Sequence, residues 1–512
     1  MTPSRSRAGS WLLSLAVAIA LLPHLARSFA DPDLWWHVKT GELILDRGSI
    51  PDRDPFSFTA AGARWVNHEW LSDVVLAGTF RLGGDRGLVA LRLALLGAGC
   101  GLLAWLLWRR LPEPLPVLVL LLAALRDLAG FWSLRPTDAT SILSLAFLAC
   151  VEADRGGRRA ALLALPPLMA LWVNLHGGFL VGLAIAGACL GSRLLGRDEA
   201  RPERSPRAER VRLAAVLAAT LLAPLLNPYG PRLFGYLAGE LGARHAFNAE
   251  WRSLPQEPGA WLPYAAWSLV PLALLAAGRA WLRRPAESAL FALSLAAAFR
   301  SVRCVGLLVL FGSLVAATGL AAWIGRLRAR GAGRLLDALA TAPAIAAAGA
   351  VLLLLELPPF LRGVRIGGLR LEVPPFHNPI LATRFLADHD LGPNLAVRYD
   401  WGGYALYHLY PRYRVSLDGR GVTVYPDRFA STMLEAWFGG RALPVLAPYH
   451  PDAFLVETGG PASQELLRNP GWQPVFGDGL ATVFVPRPRA AALDRDGGSR
   501  RRYTLSLPVY FP

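Results

Sequence analysis

Apolar runs long enough to span a bilayer recur from Trp11 to Pro358, with arginine clusters between them. A helix needs about 20 apolar residues to cross the hydrocarbon, and only helices or closed barrels satisfy their own backbone there. Runs at 11–30, 86–108, 114–133, 137–153, 159–175, 178–195, 211–227, 260–278, 286–303, 304–323 and 336–358 predict about eleven transmembrane helices. The expected fold class is therefore a polytopic α-helical membrane protein. With 54% hydrophobic and 18% charged residues, against about 25% charged in soluble domains, the composition excludes a soluble enzyme, a disordered chain and a disulfide scaffold.

The 53 basic and 37 acidic residues leave a net charge of +16, which by itself would suit nucleic acid. Its distribution points elsewhere. Arg5 and Arg7 precede the first run, and Arg109/Arg110, Arg155–Arg159, Arg193–Arg212, Arg279–Arg284 and Arg326–Arg334 mark alternate connections. Basic residues near helix ends stay on the cytoplasmic side, so no nucleic-acid partner is expected. The expected location is a bacterial inner (plasma) membrane, amino terminus cytoplasmic and carboxyl-terminal segment external. The first run also reads as a signal segment ending Ser28-Phe29-Ala30; the need to hold the next segment at the membrane surface argues for retaining it. All four cysteines, Cys100, Cys150, Cys189 and Cys304, lie in the apolar runs, so structural disulfides are not expected. Lys39 is the only lysine.

Three external segments exceed the length of ordinary connectors. Loops 31–85 and 228–259 belong to a membrane domain, 1–358, and 359–512 reads as a soluble external α/β domain. Loop 31–85 carries amphipathic helical stretches at 34–46 and 67–82. The carboxyl-terminal part predicts strands at 395–399, 414–417 and 453–456, a hairpin at 473–485, and helices at 378–388, 428–437 and 462–467. No glycine-rich phosphate fingerprint interrupts it.

Several external residues could carry chemistry. In Asp31-Pro32-Asp33-Leu34-Trp35-Trp36-His37-Val38-Lys39, an acid is either a helix N-cap or a ligand for a divalent metal beside a phosphate leaving group. Asp138, in Leu134-Arg135-Pro136-Thr137-Asp138, is a further metal candidate or one member of an ion-pair group with Arg126, Asp127 and Arg135. Arg300 and Arg303 lie at a helix end, where a guanidinium near hydrocarbon wants an anion: a headgroup, an acid or a donor phosphate. Asn174-Leu175-His176-Gly177-Gly178 and Asn227-Pro228-Tyr229-Gly230 read as helix-ending turns, with His176 on the external side.

The stretch from Asp33 to Lys39, followed by Gly48, Asp54-Pro55 and Gly62, resembles the first external loop of the GT-C superfamily, in particular the catalytic subunit of oligosaccharyltransferase and its archaeal and bacterial counterparts. Lys39 stands where that family has Arg. Glu250, in Asn248-Ala249-Glu250-Trp251-Arg252-Ser253, is similar to the family's Glu-containing loop, with Trp251 in place of His. Asp400, Trp401 and Asp418, in Tyr399-Asp400-Trp401-Gly402-Gly403-Tyr404 and Ser416-Leu417-Asp418-Gly419, resemble the motif opening the family's external domain, without its Trp-Trp pair. On residue pattern alone Asp400 and Asp418 are turn and strand-end residues, with Gly402-Gly403 in a loop.

The resemblance implies a glycosyltransferase that moves a sugar from a polyprenyl-phosphate or polyprenyl-pyrophosphate donor to a glycan, lipid or protein acceptor on the external face. It implies catalytic roles for Asp33 and Glu250, Mg²⁺ or Mn²⁺ held by Asp33, Asp138 and Glu250, donor binding by His37, Lys39, Arg300 and Arg303, and acceptor-domain roles for Asp400, Trp401 and Asp418. In the family's metal-independent branch Asp33 becomes the base. The competing class is a transporter or a non-catalytic envelope assembly protein; no internal repeat of the kind common in transporters occurs. Membrane lipids are the remaining expected partners. Reporter fusions at Ala200 and Gly459 are expected to give opposite topological signals; matching signals would overturn the assignment of sides.

Overall fold

The computed structural model describes residues 31–111, 113–128, 133–196, 206–242, 249–278, 284–333, 370–495, 503–504, 509 and 511. The first and last apolar runs, 11–30 and 336–358, and the Ser28-Phe29-Ala30 pattern lie outside them. The protein is mostly helical and divides into two compact units. One holds the described parts of 90–231 and 250–368, the other those of 29–89, 232–249 and 369–512. The first external loop thus packs in the same unit as the carboxyl-terminal segment, whereas the chain-order reading grouped it with the membrane domain.

In the first unit the apolar runs fold as helices Pro114–Leu128, Thr137–Arg155, Leu165–Leu175, Phe179–Leu194, Arg207–Leu222, Trp261–Gly278, Pro285–Arg300 and Val305–Leu327. The 86–108 run lies in a longer helix, Trp70–Arg110, broken at Gly84. Gly84 has φ 59°, a conformation open to glycine without cost. Two helical stretches, Trp70–Arg110 and Val302–Gly331, are long and apolar enough to cross a membrane by length and composition. The Val305–Leu327 helix is the buried centre: a side chain at Gly319 would meet the Leu274 backbone at 2.8 Å, so the glycine lets two helices approach closely. Outward, Leu222, Leu226, Leu262, Leu269 and Leu293 are 59–77% exposed, an apolar surface unlike that of a soluble monomer.

The arginine clusters meet at one end of this unit. Glu287 accepts from Arg110 (3.1 Å), Arg155 (2.8 Å) and Arg284 (3.0 Å), and Arg284 also reaches Glu152 (2.7 Å). Beside them Asp154 binds Arg193 (2.6 Å) and Arg212 (2.9 Å), and Arg193 reaches Glu209 (3.1 Å). Five helix ends named in the alternating arginine pattern are thus joined by charge pairs.

In the second unit a five-stranded sheet has the order β2-β1-β3-β5-β4, with β1 Asn394–Val397, β2 Arg414–Val415, β3 Ala453–Glu457, β4 Trp472–Gly477 and β5 Ala481–Pro486. β1 pairs in parallel with β2 and β3, and the last three strands are antiparallel. Helices Ile380–Asp388, Asp427–Phe438 and Pro461–Arg468 match the expected ones. The expected loop at Gly402-Gly403 is instead inside helix Tyr399–Leu409. A Cβ at Gly402 would lie 2.0 Å from the Leu417 carbonyl oxygen, so here glycine serves close packing rather than a turn.

Residues 56–58 extend this sheet along β2: Val415 N–H donates to Phe56 O (3.0 Å) and Phe58 N–H to Val415 O (3.1 Å). Arg420 fastens the join. Fully buried, it donates to Asp54 (2.6 Å) and through two nitrogens to Asp418 (2.8 and 2.7 Å), between the rings of Phe56 and Trp65. Burial opposes its charge, but the two carboxylates hold its pKa well above the ordinary guanidinium value. Arg420→Ala would leave two buried carboxylates unpaired, and breaking such a pair costs about 3–5 kcal/mol. Thermal unfolding of the variant should show that loss; an unchanged midpoint would refute the clamp.

Candidate functional site

The candidate residues fall into two groups, each inside its own unit. In the second, Asp33 stands at the N-cap position of helix Leu34–Arg47, as one of its readings had it, but its side chain makes no capping hydrogen bond. Its Oδ1 accepts the Trp36 indole N–H (3.3 Å), and its own backbone N–H donates to Asp31 (3.0 Å). A Cβ at Gly419 would stand 2.4 Å from that oxygen. The Asp33 loop therefore rests on the backbone just after Asp418, and the two halves of the sequence resemblance meet there.

The neighbouring donor-binding candidates have internal partners. His37 is buried, its Nδ1 2.6 Å from Asp73, whose other oxygen accepts from Asn67 (2.7 Å). Burial works against charge on His37, yet the Asp73 hydrogen bond and nearby Glu69 and Asp33 raise its pKa above the usual imidazole value. Lys39 pairs with Glu42 (3.0 Å) and lies 5.1 Å from the Tyr407 ring centre.

The acceptor-domain candidates separate. Asp400 is exposed and bound to Arg398 (2.6 Å). Trp401 is buried and donates to the His377 carbonyl (2.9 Å), and Asp418 lies inside the Arg420 clamp with the Tyr425 hydroxyl (2.8 Å). Trp401 and Asp418 are core residues, since helix Tyr399–Leu409 and the loop after β2 turn both side chains inward.

The other group lies at the end of the first unit opposite the arginine network. The Arg135 guanidinium binds Glu250, and Arg303 approaches the same carboxylate at 3.9 Å, above the Trp251 ring at 5.4 Å. Ser301 Oγ donates to Glu250 O (3.1 Å) and Val302 N–H to Arg252 O (3.0 Å), which fixes the Glu250 segment against the turn bearing Arg303. The Nε2 of His176 is 3.5 Å from Arg303. Arg300 is exposed. Two arginines three apart in sequence thus have different surroundings.

The chain is similar to a solved structure, ArnT from Cupriavidus metallidurans bound to undecaprenyl phosphate. The two share 17% identity, the match covers 94% of this chain and 98% of that one, and the TM-score is 0.49. No protein-family model matches the chain, and no curated protein matches it.

Of the three carboxylates expected to hold a divalent cation, Glu250 and Asp138 have protein partners in this structure. Glu250 faces two guanidiniums. The oxygens of Asp138 accept the backbone N–H groups of Ser133 (3.4 Å) and Leu134 (3.0 Å). Among the described residues no three His, Cys, Asp or Glu side chains converge as metal ligands. Of the expected ion-pair group of Arg126, Asp127, Arg135 and Asp138, Asp127 takes the Trp267 indole N–H (2.6 Å) and Arg135 binds Glu250. Asp138 instead holds a tight turn in which Leu134 has a left-handed backbone (φ 63°), costly for leucine.

The reading of 174–178 and 227–230 as turns is right for Asn227, whose amide ties the ends of two helices at Val173 O (3.0 Å) and Asn174 (3.3 Å). The place of His176 beside Arg303 and the pairing of Arg135 with Glu250 were not legible from the pattern alone. Their sequence signal was only a polar residue at the external end of an apolar run. Asp138→Ala should cost about 1–3 kcal/mol, since two backbone donors lose their acceptor, while Asp138→Asn, which keeps an acceptor oxygen, should cost markedly less in a thermal melt. Equal losses would count against the turn-holding role.

Proposed function

We propose that this protein is a GT-C-type membrane glycosyltransferase that takes a sugar from a polyprenyl-phosphate or polyprenyl-pyrophosphate donor. The observation carrying this reading is the convergence of Arg303 and Arg135 on one carboxylate at the ends of apolar helices. Two guanidiniums half-open to solvent at such a boundary suit a phosphate whose lipid tail lies along apolar surface, and charge-assisted contacts to phosphate are strong and directional. Glu250 occupies the anion position between them, so its role is that of a counter-ion rather than a base.

In the reaction, the acceptor oxygen bonds to the anomeric carbon as the carbon–oxygen bond to phosphate breaks and the phosphate departs with the electron pair. Arg303 and Arg135 receive the growing charge on that phosphate. The acceptor's proton passes to a carboxylate base, the role that the sequence resemblance implies for Asp33. Its half-buried carboxylate accepts the Trp36 indole N–H beside Gly419. Asp138 and Glu250 are engaged with backbone N–H and guanidinium groups, which leaves the phosphate charge to the two arginines.

Radiolabelled polyprenyl-linked sugars supplied to the membrane-embedded protein provide the test. Asp33→Asn should abolish turnover and leave donor binding intact. Arg303→Ala should raise the apparent donor constant ten- to a hundredfold, corresponding to about 1.5–3 kcal/mol for a lost charge-assisted contact. Unaltered donor binding in Arg303→Ala would make this residue a headgroup anchor and overturn the reading.

A further inference from the structure

Beside Arg303 the hydrogen-bond pattern determines which nitrogen of His176 carries its proton. The backbone N–H of Gly178 donates to His176 Nδ1 (3.0 Å), and Thr140 Oγ1 lies 2.7 Å from the same nitrogen. Thr140 Oγ1 accepts the Trp172 indole N–H (3.3 Å), which leaves its hydroxyl proton to point at the imidazole. A nitrogen that accepts an N–H cannot itself be protonated, so the proton of a neutral ring is on Nε2. That Nε2–H is 3.5 Å from Arg303 Nη2, also a donor. Two donors placed side by side in this way can serve one acceptor.

The packing shows that this tautomer seat is built. A Cβ at Gly178 would lie 2.0 Å from Thr140 Oγ1 and 2.7 Å from His176 Nδ1, so only glycine brings its N–H to that nitrogen. Trp172 is fully buried and anchors the threonine. The imidazole is thus oriented from behind, as second-sphere partners orient a ligating histidine.

We infer that His176 is a phosphate-binding residue, its Nε2–H and the Arg303 guanidinium donating together to one oxygen of the lipid-linked phosphate, with Thr140 and Gly178 as positioning residues. This rests on the reading of the Arg303 site as a phosphate seat.

The test is binding of a polyprenyl phosphate to the full-length protein in lipid nanodiscs. His176→Asn, too short to reach with its amide, should weaken binding about tenfold, the loss of a hydrogen bond to a charged group. His176→Gln, whose amide nitrogen falls near the place of Nε2, should recover most of that loss. Thr140→Val should weaken binding without touching the phosphate. In wild-type protein labelled with ¹⁵N-histidine, His176 should show a bare Nδ1 and a protonated Nε2 whose signal moves when the lipid phosphate is added. If Arg303→Ala weakens binding while both His176 variants bind like wild type, the inference fails and the phosphate seat stands. A protonated Nδ1 with bare Nε2 would also overturn it. No effect from Arg303→Ala would remove both.

Discussion

A guanidinium at the end of an apolar helix needs a counter-charge, and that requirement organises the first unit at both of its ends. At one end Glu152, Asp154, Glu209 and Glu287 gather arginines from five helix termini. At the other, Arg135 and Arg303 find a single carboxylate, Glu250. The two sets differ in consequence. Glu287 and Arg110 are almost completely buried, and such a saturated network joins helices more than it binds ligands. The Glu250 set remains partly open, with Arg303, Arg135 and Glu250 side chains 31%, 22% and 39% exposed, and an incoming anion can compete there.

The second unit solves a similar problem with one buried arginine. Arg420 neutralises Asp54 and Asp418 in the dry interior and thereby ties loop 51–66 to the sheet. The glycines complete the arrangement: with Gly402 packed on Leu417 and Gly419 on Asp33, helix Tyr399–Leu409 and the Asp33 loop lie close to the backbone that follows β2. Asp418, which in sequence looked like a site residue, is thus what holds the surroundings of Asp33 in shape.

The chemistry assigned to the open set depends on direction as much as on charge. Arg303 supplies a permanent positive charge, and the His176 ring, held by Thr140 and Gly178, supplies a neutral donor of set orientation. An anion met by both is held in position as well as attracted. Under that proposal the set differs from a headgroup anchor, for which charge alone is enough, and glycine at 178 has a reason independent of backbone conformation.

The helices were legible in the sequence because apolar runs of spanning length allow few other structures, and the side on which arginines gather follows from the cost of moving their charge. The strands of the carboxyl-terminal unit were legible from the same patterning at shorter period. What the runs leave open is which side chain at a helix end meets which. Arg303 and Arg300 are alike in sequence, and only the turn at Ser301 places one beside Glu250 and leaves the other exposed. The Gly402-Gly403 pair reads as a loop locally, yet the nearby Leu417 carbonyl makes it a helix face. The His176 ring is met by a threonine 36 residues away. Burial periodicity is a local property of the chain; a hydrogen-bond partner is not, and the donors and acceptors that make the candidate site come from helices that only tertiary packing brings together.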